Sequence, residues 1–189
     1  MKIVKMFLMS LLITGFLTSC GEKNESAVCE KDGITLSFSY PKGFFTRSDD
    51  AKDYMLGEKD GFAFVGENFT MQVTMGISFG HTELWDRTKQ RKIEANNELF
   101  KQMSIEGTKD VYQFYWEPSL AYTMLLDNNR YIEIQFCPND LKNKTNSDLI
   151  GTNRATRAEF LERSRSISES KEVQDIVKSL KVKLSVIND

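Results

Sequence analysis

A single histidine, three prolines, three cysteines and two tryptophans are spread over 189 residues. The lone histidine, His81 in Gly80-His81-Thr82, has no Cys/His cluster to complete a zinc site. As a catalyst it would need a nucleophile and an orienting partner, so it reads as a polar turn residue. Gly57, Gly61 and Gly66 have turn spacing but lack the pattern that makes a glycine loop bind phosphate. No Asp-x-Asp-x-Asp-Gly calcium framework occurs. The carboxylates that fall in pairs, Asp49-Asp50, Glu58 with Asp60 and Asp140 with Asp148, lie in polar loops where solvated charge is the default. Basic charge is not in excess: 25 Lys and Arg face 27 Asp and Glu, a formal charge of −2. Readers of nucleic acid are typically strongly basic, so that partner is not expected. The residues name no catalytic group, no metal ligand and no cofactor, and no internal repeat is visible.

Long apolar runs are also missing. Met6 to Leu17 is the longest, about a dozen residues interrupted by Ser10, Thr14 and Gly15. A spanning helix needs roughly 20. With Lys2 and Lys5 before it and small residues after it, the run has the build of a secretory signal peptide over residues 1–19. Leu17-Thr18-Ser19-Cys20 resembles a bacterial lipobox, which is cleaved immediately before its cysteine. The resemblance implies a diacylglyceryl thioether on Cys20 and an acyl group, such as palmitate, on its amino nitrogen. Several acyl chains, at about 0.8 kcal/mol per buried CH2, anchor a protein durably without a spanning segment. The expected location is the bacterial cell envelope, on the periplasmic or outer-membrane side, with the membrane as a partner through lipid. Without residues 1–19, which hold two lysines and no acid, 23 basic residues face 27 acidic ones, a formal charge of −4.

Two cysteines are then left, Cys29 and Cys137, in a compartment where disulfides persist. If they pair, the loop closed is about 108 residues, worth roughly 4 to 5 kcal/mol in the chain-entropy model. The alternative is two thiols, since geometry decides whether a bridge can form.

Residues 20–31 (CGEKNESAVCEK) are polar and aperiodic, and read as the lipidated cysteine and a flexible tether. A single domain is expected over residues 32–189. Its first element is Ile34–Tyr40, where Ile34, Leu36, Phe38 and Tyr40 alternate with Thr35, Ser37 and Ser39. Pro41 and Gly43 end it. A hairpin is expected across Tyr54 to Val65 and a strand over Phe69–Phe79. Thr82 to Met103 has neither Pro nor Gly and predicts a long helix with Thr82 as its N-cap. The strands Asp110–Trp116, Leu120–Leu126 and Tyr131–Cys137 are joined so briefly that they form an antiparallel meander. Residues 138–152 are a polar excursion. Residues 153–166 read as helical, and Val173, Ile176, Val177 and Leu180 mark a final amphipathic helix. Val182, Leu184 and Val186 alternate in a last strand.

Strands first, a helix between them and a helix near the end predict an α+β domain with a mainly antiparallel sheet. ITLSFSYPKGF, the FTMQVTM strand before a helix, the aromatic meander and EVQDIVKSLKV resemble the PsbP/Mog1/DcrB-like domain over residues 32–187. The resemblance implies an α/β/α sandwich, with helices packed on the faces of the sheet, and a role in binding or assembly rather than catalysis.

Two surfaces are candidates for binding. The clusters Arg87-Lys89-Arg91-Lys92 and Arg154-Arg157-Arg163-Arg165 are interleaved with Glu94, Glu159 and Glu162, as in a solvated helix face; the functional alternative is contact with anionic head groups. Tyr112, Tyr115, Trp116, Tyr122 and Tyr131 form an aromatic surface if they are exposed, and core if both faces of the sheet are covered. The function expected is that of a non-catalytic, envelope-anchored binding or assembly accessory with a protein partner. It would hold a protein or apolar segment in a groove between sheet and helix. A small-ligand or glycan-binding module using those aromatics is the alternative, and a hydrolase is a third.

Overall fold

The computed structural model describes residues 24–48, 61–77, 99–116, 119–126, 130–139 and 154–185. The signal peptide, Cys20, the Tyr54–Asp60 half of the hairpin, His81, residues 82–98 of the expected helix and most of the excursion lie outside them. Described residues build an α+β fold from ten strands and two helices. A seven-stranded antiparallel sheet runs β3-β4-β5-β9-β8-β7-β6 and a three-stranded one β1-β2-β10.

The small sheet begins with an unexpected strand. β1 (Asn24–Lys31) occupies most of the stretch read as a tether and pairs residue for residue with β2 (Ile34–Pro41). Only Ala27 and Cys29 of β1 turn fully inward, so its apolar alternation is too sparse to recognise in the sequence. Asp32 and Gly33 join the two strands with φ of +50° and +70°, the backbone of a tight two-residue hairpin. β2 shows the predicted alternation, with Ile34, Leu36, Phe38 and Tyr40 buried.

In the large sheet, β3 (Thr46–Ser48) pairs with β4 (Phe62–Val65), and β4 with β5 (Phe69–Ile77). The predicted meander is present as β7 (Asp110–Trp116), β8 (Ser119–Leu125) and β9 (Arg130–Pro138). β9 docks beside β5 over nine residue pairs, which places β5 at the sheet interior. Both of its faces are buried, including Thr70, Gln72 and Thr74. β6 (Lys101–Met103) forms the edge next to β7. This corrects the expected helix at its C-terminal end: Lys101 and Gln102 are exposed, and pairing with β7 decides their conformation.

Two helices close the chain, α1 (Arg154–Glu169) and α2 (Lys171–Ser179), followed by β10 (Lys181–Leu184). The Ser170 hydroxyl caps α2 by accepting the Val173 N–H at 3.3 Å, and Glu172 sits in its first turn, both stabilising positions. Val173, Ile176 and Val177 of α2 pack with β2, while Phe160 of α1 reaches the same core beneath β8 and β9. One face of the large sheet is thus covered jointly by the small sheet and both described helices. Phe38 of the small sheet meets Phe64 of the large one edge to face at 5.0 Å, a favourable aromatic geometry.

Candidate functional site

Where β6 ends the large sheet, a cleft of about 500 Å³ opens between that edge and α2. Alternation along the strand, together with the pairing of Lys101 with Gln113 and of Met103 with Val111, puts Lys101 and Met103 on the face toward the helix. From α2, Val177 and Lys178 complete the walls. Gln113 of β7 and Tyr122 of β8 form the floor, only 4% and 2% exposed. They are a polar pair on an otherwise apolar face: the Tyr122 hydroxyl donates to Gln113 Oε1 at 2.9 Å, and Gln113 Nε2 donates to the Leu99 carbonyl at 2.9 Å. Burial holds the Tyr122 phenol far above its ordinary pKa, so it remains a neutral donor. An amide nitrogen carries two hydrogens, and one of those on Gln113 has no partner among the described residues.

β6 is a sheet edge, and among the described residues nothing pairs with its outer side. Such an edge is a template for another strand. Just beyond it the two sheets approach: Val182 N–H of β10 donates to Glu106 O at 3.2 Å. Gly107 has φ of +86°, and a Cβ there would come within 2.1 Å of Val182 O. A second cleft, of about 440 Å³, lies beside Phe44, Phe69 and Glu67. Its turn is held by Asn139, whose Nδ2 donates to Gly66 O at 2.7 Å and to Glu67 O at 2.9 Å.

The predicted aromatic surface is not formed. Tyr112, Tyr115 and Tyr122 are buried and Tyr131 is half-buried; the Trp116 side chain lies outside the description. The strand pleat also divides them. Tyr115 and Tyr122 face the small sheet, and Tyr112 the opposite side, where Phe100 stacks on it at 5.9 Å; Tyr131 lies beside Asp32 of the β1–β2 hairpin. Burial also raises the pKa of Tyr131, with Glu133 and Asp32 adding to the shift.

Nor do Cys29 and Cys137 form a disulfide. Cys29 points from the small sheet into the core, whereas Cys137, paired with Thr70, faces away from it on the far side of the large sheet. A bridge needs Cα atoms within about 7 Å, and the sheet stands between them. Of the basic segments, Arg163 meets Glu159 at 2.6 Å and Arg165 meets Glu162 at 3.3 Å on α1, the solvated-helix pattern. Arg87, Lys89, Arg91, Lys92 and the paired carboxylates Asp49-Asp50, Glu58, Asp60, Asp140 and Asp148 are outside the described residues. Among those described, no group of three or more His, Cys, Asp or Glu is arranged to hold a metal, and no helix is long and apolar enough to cross a membrane.

The expected groove between sheet and helix was not located in the sequence because β6 carries no apolar alternation; Gln113, a polar residue facing inward among aromatics, is its one legible signal. No family model matches the sequence, and neither a curated protein nor a solved structure is significantly similar to it.

Proposed function

We propose that this chain is a cell-envelope lipoprotein, anchored through Cys20, that acts as a non-catalytic binding or assembly accessory. It holds an extended segment of a partner polypeptide in the cleft between β6 and α2. The observation that carries this reading is the cleft itself: one wall is a sheet edge whose outer side no described strand pairs with, the other a helix, and Met103 and Val177 offer apolar contact. Extended peptides bind such edges through main-chain hydrogen bonds, with side-chain pockets supplying selectivity. The glycan-binding alternative loses its support, because three of its five aromatics are buried.

A photo-crosslinking residue in place of Gln174, exposed on α2 at the cleft wall, should yield a discrete adduct in intact cells. The same residue in place of Val28, exposed on the small sheet, should not. Equal adducts at both positions, or none at Gln174, count against the reading. Cys20→Ser should release the protein from membranes with its thermal unfolding unchanged. A variant that unfolds instead would place Cys20 inside the fold.

A further inference from the structure

We infer that the segment held in the cleft is acidic, presenting a carboxylate between Lys101 and Lys178 while its main chain lies along β6; this rests on the cleft being a peptide site. Three features carry it. First, the cleft reverses the sign of its surroundings. The chain is acidic overall, with a formal charge of −2, yet the charged side chains lining the cleft among the described residues are Lys101 and Lys178. Neither makes an ion pair among those residues. Two like charges facing one gap repel, and an anion between them removes that cost.

Second, the floor supplies a donor. The second Nε2 hydrogen of Gln113 is unused, and the residue is 4% exposed. A buried donor without an acceptor is unfavourable, and a carboxylate or carbonyl oxygen entering the cleft satisfies it. The Gln113 side chain is held by its bonds to Tyr122 and Leu99, so it is oriented before any ligand arrives. Third, the lysines come from opposite walls, one from β6 and one from α2. An acidic side chain on an added strand lies between them, and an apolar residue two positions along, on the same face, contacts Met103 and Val177. Hydrogen bonds from the edge fix direction, and the ammonium groups select charge.

The test uses three fluorescein-labelled octapeptides of the pattern Thr-X-Thr-Leu-Thr-X-Thr-Leu, with X as Glu, Gln or Lys so that X and Leu share one strand face, titrated by anisotropy against the full lipidated protein in detergent at low salt. The Glu peptide should bind about tenfold more tightly than the Gln peptide, the ratio two partly exposed ion pairs supply, and added salt should shrink that ratio. Lys101→Glu with Lys178→Glu, both at exposed positions, should reverse the order in favour of the Lys peptide. Equal binding of the Glu and Gln peptides, or an order unchanged in the double variant, overturns the acidic assignment and leaves the peptide site standing. Failure of all three peptides to bind overturns the peptide site as well.

Discussion

Thr123 is 1% exposed, and its hydroxyl has no hydrogen-bond partner among the described residues. It lies in β8 on the face away from the small sheet, paired across strands with Glu133 and Tyr112. An unsatisfied buried hydroxyl costs about 1 to 3 kcal/mol, so Thr123→Val should raise stability by about 1 kcal/mol, seen as a higher urea midpoint at unchanged slope. Tyr122 shows the opposite case, a buried hydroxyl that is satisfied. Tyr122→Phe strands Gln113 Oε1 and should cost about 1 to 2 kcal/mol. The same phenol sets an alkaline limit. Its pKa is raised in the fold above the ordinary 10.0 by burial, so above that pH the unfolded chain sheds a proton that the folded chain keeps. The contribution is whole below pH 10 and is lost as pH rises beyond it. In Tyr122→Phe the fall of stability above pH 10 should be shallower, with Tyr40 and Tyr131, also raised, supplying the remainder. Urea titrations at stepped alkaline pH measure this.

Among the elements, legibility followed burial. β2 has one buried face and one partly open, so Ile34, Leu36, Phe38 and Tyr40 announced it. The meander was visible because its aromatic and β-branched runs are split by short polar breaks. β1 and β6 were not, since both are edge strands whose conformation comes from pairing and whose side chains are largely exposed. In β5, Thr70, Gln72 and Thr74 alternate like a solvent face but are buried, since burial of a sheet face is set by the layer packed on it and not by the strand's own pattern. The approach of β10 to the loop after β6 depends on a residue without a side chain. Gly107→Ala combines a left-handed φ with a 2.1 Å clash against the Val182 carbonyl. It should cost roughly 2 to 3 kcal/mol and, by displacing Glu106 from Val182, weaken peptide binding in the adjoining cleft. Thermal melts and anisotropy on one preparation check both effects.

Across the whole molecule, two arginines join the sheets and a serine ties α2 to the small sheet. Arg47 Nη1 of β3 donates to Val28 O of β1 at 2.8 Å, with its guanidinium 5.4 Å from the Phe62 ring centre. At another corner the buried Arg130 donates to Ser185 O at 2.9 Å and to Gly33 O at 3.3 Å. The Ser179 hydroxyl accepts the Ser39 N–H at 2.9 Å, just past the β2–β10 ladder. These contacts knit the covering layer without a crosslink, and the cysteines follow suit. With Cys20→Ser, a thiol reagent should find two groups after denaturation without reductant, and should react with them far more slowly in the native protein, where both are buried. Alternation along each strand, the apolar stripe of α2 and the turn residues are local properties, so the sequence alone determined an α+β fold with an antiparallel meander. Which polar residues are buried, which side of the sheet each thiol and tyrosine faces, and where an open edge meets a helix depend on contacts between distant segments. Local pattern does not encode those contacts, and only the tertiary structure decided them.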